Sequence, residues 1–187
     1  MLEKKDRYNL AIAGATGAVG RKMLEILKEC NFPVANLKVL ASAKSAGQTL
    51  PFNESFLVVE ELSENSFEGV DIALFSAGAS VSQKFAPFAV KSGCIVIDNS
   101  SAFRMDPMTP LIVPEVNPED IGENPGIISN PNCSTIQMVM ALKPIHDKFN
   151  IKRVVVSTYQ SVSGSGQKAI DEIQNQTKNI IDGQPVK

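Results

Sequence analysis

The sequence has no tryptophan, two tyrosines and one histidine, His146, in 187 residues, so any histidine chemistry falls to a single position. Cysteine is scarce too: Cys30, Cys94 and Cys133 are an odd number with no C-x-x-C pair. That excludes a disulfide framework and a cysteine-based zinc site, and it fits a reducing cytoplasm. An excess of positive charge is missing. Eighteen Lys and Arg stand against twenty Asp and Glu, for a net charge of −2. No broad basic face can be built from that balance, so nucleic acid is not an expected partner. No apolar run approaches the ~20 residues that span a bilayer. The charged start, Met1 to Arg7, runs into an apolar segment too short for a signal-peptide core. What is present is a chain 43% hydrophobic and 20% charged, which excludes disorder over most of its length. Its size allows one substantial core and the start of a second.

Short apolar runs alternate with amphipathic stretches, the pattern of an α/β fold with a mostly parallel sheet. Strands are expected at residues 8–13, 37–41, 56–60, 70–76, 95–98 and 126–129. A helix follows the first strand to about Cys30, with Val19, Met23, Ile26 and Leu27 at helical spacing. A second covers residues 79–92, with a kink or break at Pro87. Residues 99–126 are rich in proline and polar side chains, a length of connection that points to function. Asn132 is placed to cap a helix that opens at Cys133. That helix is apolar nearly all round and is expected to be central, buried and kinked at Pro144. A strand over residues 152–160 and a helix over 167–182 would begin a second domain.

Gly14, Gly17 and Gly20 lie between the first strand and the first helix, in the spacing G-x-x-G-x-x-G. Glycines there let the backbone turn tightly and approach a pyrophosphate, while the helix N-terminus offers free N–H groups to the anion. The second strand ends on Ser42-Ala43-Lys44-Ser45, where an NAD-binding fold usually carries an acid for the ribose hydroxyl. A cation and two hydroxyls suit a 2′-phosphate instead, which favours NADP. Cys133 opens its helix behind Asn130-Pro131-Asn132, and the positive end of a helix favours a thiolate nucleophile. Cys30 and Cys94 read as small buried hydrophobes.

These residues carry a resemblance. Ala13 to Gly20, Ser42 to Gly47, Asp98 to Arg104, Val113 to Asn117, Asn130 to Thr135 and Tyr159 to Gly166 occur in order over nearly the whole chain. With them the sequence resembles the N-terminal half of the bacterial aspartate-semialdehyde dehydrogenases. The segments Asn-Pro-Asn-Cys-Ser-Thr and Asp-Asn-Ser-Ser-Ala-Phe-Arg are the specific ones. The resemblance implies a Rossmann-like, doubly wound NADP-binding domain over residues 1–133. Residues 134–187 would then begin an α+β catalytic and dimerisation domain. It implies amino-acid biosynthesis toward lysine, threonine and methionine, with Cys133 as nucleophile. The thiolate attacks β-aspartyl phosphate and expels phosphate, and the thioester is reduced by NADPH to aspartate semialdehyde. Arg104 matches the phosphate-binding arginine, with Asn99 and Ser100 in the same loop. Gln160 matches a substrate-binding position. Thr16, Gly17, Ala18, Val19, Lys44, Ser45, Ser163 and Gly164 match cofactor contacts, beside Gly14, Gly20 and Ser42. Most relatives carry Arg at the position of Lys44, so NADP preference is expected to be softer here.

The resemblance also implies a general acid/base histidine and a second phosphate-binding lysine in the other half of a chain nearly twice this length. His146 does not replace that histidine. It lies ~20 Å further along the helix of Cys133 and reads as a helix-end residue. The chain is therefore expected to be a fragment, assembling as a dimer or larger when whole, and exposing an unpaired edge at residues 153–160. Two alternatives stay open: a related acyl-phosphate reductase such as N-acetyl-γ-glutamyl-phosphate reductase, and an NADP-binding module without turnover. A short-chain dehydrogenase is excluded, because Tyr8 and Tyr159 are followed four residues on by Ile12 and Ser163 rather than Lys.

Overall fold

Tyr8–Ala13, apolar but for Asn9, form strand β1, and Leu10 to Ala13 are almost entirely shielded from solvent. A strand hidden on both faces belongs at the middle of a parallel sheet. The structure, a computed structural model, describes residues 4–122 and 126–186. Part of the charged N-terminus, residues 123–125 of the long connection and residue 187 lie outside the described residues. The chain divides into two units, Met1–Ile151 and Lys152–Lys187.

In the first unit β1 is followed by α1 (Ala18–Glu29), β2 (Val34–Ala41), β3 (Thr49–Phe52), β4 (Ser55–Glu61) and β5 (Ile72–Phe75). Then come α2 (Ala79–Lys91), β6 (Ile95–Asp98), β7 (Ile127–Ser129) and α3 (Cys133–Phe149). The sheet has seven strands in the order β3-β4-β2-β1-β5-β6-β7. Every pairing is parallel except β3 with β4. Alternate residues of the strands feed two cores. Ala11, Ala13, Leu40, Phe75 and Val96 join Phe67, Ala86 and Ala89 in one of them. Ile12, Val39, Leu50 and Val59 join Leu24 in the other. Each large side chain withdrawn from water in this way contributes about 1.5–3 kcal/mol. Phe67 and Phe75 stack within the first core, their ring centroids 5.5 Å apart.

This is the Rossmann-like, doubly wound sheet. From β1 the chain moves outward to the β3–β4 hairpin, then returns to β5 on the other flank of β1. The reversal leaves the carboxyl ends of β1 and β5 side by side, and a crevice opens at such a point.

Several local expectations need correction. Strand β2 begins at Val34, because Tyr8 of β1 offers it a partner there. Strand β3 carries Pro51, which hid it; at a sheet edge the missing N–H is tolerated, and Asn53 at φ 54° turns the chain into β4. Pro87 lies inside a continuous helix rather than breaking it, and Pro144 lies within α3. No residue of α3 is buried, although its sequence is apolar all round, and Met140, Ile145 and Phe149 are exposed. Burial needs a facing layer as well as apolar side chains.

In the second unit, residues 152–160 form no strand, and Val154, Val155 and Val156 are exposed. Among the described residues that unit contains no other strand to pair with them, and unpaired backbone does not make a ladder. A 3-10 turn, Val162–Ser165, leads into α4 (Gln167–Ile181), which has no buried residue. Among the described residues no helix is long and apolar enough to cross a membrane.

Candidate active site

The glycine turn is built by close approach. Gly14 leaves β1 at φ 89°, and its N–H donates to Leu40 O at 2.8 Å. A Cβ on Gly14 would lie 2.5 Å from Ser76 O, at the corner that follows β5. A Cβ on Gly20 would collide with the carbonyl of Gly14 and the backbone of Ala15. Gly14 thus lets two strand ends meet, and Gly20 lets α1 pack onto the turn. Gly17 caps α1 without a side chain, so the N–H groups of the first turn have no side-chain acceptor. Gly17, Ala18 and Val19 are exposed, and Thr16 is half-buried. The result is a cradle of main-chain donors open to an anion.

At the end of β2, Ser42 O accepts from Ser45 N at 2.8 Å and from Ala46 N at 3.2 Å. This tight turn holds Ser42 and Lys44 exposed and Ser45 half-buried, on the same edge of the sheet as Gly14.

The other flank of the crevice carries a clamp. Arg104 is half-buried; its Nε donates to Asn130 O at 2.9 Å and its Nη2 to Asn99 O at 3.0 Å. Asn130 Nδ2 donates to Asn99 Oδ1 at 2.7 Å and closes the set. The guanidinium joins the loop after β6 to the loop after β7, and its remaining N–H groups are available to an oxyanion. Three residues beyond Asn130, α3 begins. Asn132 caps it, with Oδ1 accepting from Ser134 N at 3.0 Å and lying 3.8 Å from the Cys133 sulfur. Cys133 is exposed at the helix N-terminus.

The other thiols differ. Cys94 is buried, and burial, aided by the charge of Asp71, pushes its pKa up to about 12. Cys30 is the C-terminal cap of α1 and is exposed, contrary to its reading as a buried hydrophobe. His146 lies exposed in the last turn of α3. Gln160, Ser163 and Gly164 belong to the second unit, where they gather closely: a Cβ on Gly164 would lie 2.5 Å from Gln160 Nε2. A recess of about 590 Å³, lined by Arg7, Phe32, Phe52 and Leu57 among others, opens near the start of β2. That is the opposite edge of the sheet from Gly14, and ligands of open α/β sheets bind at the carboxyl ends.

The model of the semialdehyde dehydrogenase NAD-binding domain matches residues 9–124, more than half of the chain. The chain belongs to the semialdehyde dehydrogenase family. The dimerisation-domain model of the same family matches residues 142–187. Aspartate-semialdehyde dehydrogenase from Aquifex aeolicus is 60% identical over 179 residues, covering 94% of this chain and 53% of the relative. A crystal structure of aspartate semialdehyde dehydrogenase II from Vibrio cholerae, complexed with ASA, superposes with a TM-score of 0.91 at 52% identity. It covers 98% of this chain, which covers 55% of it. The enzyme from Candida albicans, solved with NADP, gives a TM-score of 0.65 at 30% identity, with 78% and 48% covered. The chain spans about half the length of the curated relatives it matches.

Within this semialdehyde dehydrogenase fold, sequence reasoning missed Asn130 as the partner of Arg104 and read it only as part of a turn. The available signal was an amide residue directly after the short strand Ile127-Ile128-Ser129, where a strand end enters a loop.

Proposed function

We propose that the protein is an NADP-dependent aspartate-semialdehyde dehydrogenase, converting β-aspartyl phosphate to aspartate semialdehyde through a Cys133 thioester. The observation that carries this reading is the placement of Cys133. It is an exposed thiol at a capped helix N-terminus, three residues from the Asn130 carbonyl that holds Arg104. The sulfur attacks the acyl carbon, a C–S bond forms, and the C–O bond to phosphate breaks with its electron pair leaving on the phosphate. Arg104 and Asn99 receive the departing phosphate, with Ser100 shaping their loop, and Gln160 contacts the aspartyl portion.

The cradle fits a dinucleotide, because the first turn of α1 leaves its N–H groups without a side-chain acceptor and Gly17, Ala18 and Val19 are exposed beside it. Gly14, Thr16, Gly17, Ala18, Val19 and Gly20 hold its pyrophosphate, and Ser42, Lys44 and Ser45 its 2′-phosphate. By the resemblance, Ser163 and Gly164 also contact the cofactor. When bound, NADPH supplies the hydride that takes the acyl group to the aldehyde level. Residues 1–133 form the cofactor domain and 134–187 contribute to catalysis and dimerisation, in an enzyme that works in the cytoplasm as a dimer or larger.

The test is a burst experiment on the purified chain with β-aspartyl phosphate. One phosphate released per chain, with an aspartyl adduct on the Cys133 peptide by mass spectrometry, is the expected result. Cys133→Ser should abolish the thioester. Acylation by N-acetyl-γ-glutamyl phosphate in preference would overturn the substrate assignment, and NADPH binding without any burst would leave only a binding module.

A further inference from the structure

Asp98 ends β6 with its side chain fully buried, and the mechanism above gives it no task. Its environment is specific. Ser82 Oγ, itself fully buried in the first turn of α2, donates to Oδ1 at 2.8 Å. Ser100 N donates to the same oxygen at 3.0 Å, and Ser100 Oγ donates to Oδ2 at 2.7 Å. The Ser100 hydroxyl in turn accepts from Ala102 N at 3.1 Å. The main-chain carbonyl of Asp98 accepts from Asn130 N at 2.8 Å.

Both carboxyl oxygens therefore act as acceptors, which a neutral amide cannot reproduce without turning one end into a donor. A buried carboxyl group persists only where hydrogen bonds replace water. Here those bonds come from separate parts of the site. Ser82 belongs to the helix that follows the Ser76 corner packed on Gly14. Ser100 and Ala102 belong to the loop that carries Asn99 and Arg104. Asn130 leads to Cys133.

We propose that Asp98 is a positioning residue that sets the cofactor-side helix, the phosphate loop and the nucleophile corner in register. Its contribution to phosphate handling rests on the functional reading above, whereas its tie between the loops does not. Removing one donor leaves the sheet intact and loosens the two loops together, so the anion site weakens while the thiol itself is untouched.

Two readouts on the full 187-residue chain separate these claims. The first is amide exchange at Ser100 and Asn130. The second is the inorganic phosphate concentration that half-protects Cys133 from iodoacetamide, with Cys133 followed by peptide mapping. In Ser82→Ala, exchange at both amides should quicken by about tenfold, and the half-protecting phosphate concentration should rise about fivefold. Alkylation without phosphate should stay within about twofold, since the cap on α3 is unchanged. Ser82→Thr, which keeps the hydroxyl, should restore both values. Asp98→Asn should move them further in the same direction, and Ser82→Ala remains decisive if that variant does not fold. Ser129→Ala is the control: its buried hydroxyl, at the register partner of Asp98, has no hydrogen-bond partner among the described residues. Unchanged exchange at Ser100 and Asn130 in folded Ser82→Ala would overturn the proposal. Accelerated exchange with no phosphate protection in any chain would uphold the tie between the loops and overturn the phosphate reading alone.

Discussion

Leu37-Lys38-Val39-Leu40-Ala41 and Arg153-Val154-Val155-Val156-Ser157 are similar runs with opposite fates. The first lies between β1 and β4 and buries Val39 and Leu40 almost completely. The second has the stronger β-branched composition, yet it forms no strand and leaves Val155 77% exposed. A strand is made by its neighbours. Side-chain preference states that a segment fits a pleated surface, and pairing decides whether the surface exists.

Hydrogen exchange should show the largest contrast. Amides of Val39 and Leu40 should exchange through global opening, roughly a thousandfold or more slower than those of Val154 to Val156, which should be near the unprotected rate. Comparable protection of the two runs would break the comparison. Truncation should come next. Leu40→Ala, at a fully buried position, should cost about 2–5 kcal/mol in denaturant unfolding, whereas Val155→Ala should stay within about 0.5 kcal/mol.

The smallest effect concerns the edge of the paired region. Burial raises the carboxyl pKa of Asp71, but hydrogen bonds from Lys5 Nζ and Asn9 N, with the Lys5 charge, outweigh it and hold it below the usual value. A lowered folded-state pKa stabilises the protein above the unfolded value, and that stability is lost as pH falls through the folded one. Thermal unfolding followed below about pH 4 should show this loss, and Asp71→Asn should remove it. Lys5 is partly exposed, so the effect should stay within about 1 kcal/mol.

Much of the sheet was legible because its signals are local. The strands at Tyr8–Ala13 and Ile95–Asp98 are apolar runs bounded by turn residues, and the Asn132 cap follows from residue type and position. The glycine turn was legible for the same reason, since each glycine meets a steric demand within its own corner. What escaped was relational. Strand β3 depends on an edge where Pro51 is harmless, and the exposure of α3 depends on what faces it. The Arg104 clamp joins residues 26 apart through main-chain carbonyls, which no side-chain pattern announces. The family resemblance implied a phosphate-binding role for Arg104, but its partners were visible only in three dimensions.

The clamp also changes the entropy of recognition. A free arginine loses up to about 2 kcal/mol of rotamer freedom when it is frozen on a ligand. Arg104 is already frozen by folding, with two of its nitrogens fastened to peptide carbonyls. Under the proposed function, an oxyanion docking there would meet a cation with little disorder left to lose, and the rigidity of the two loops would become part of its affinity.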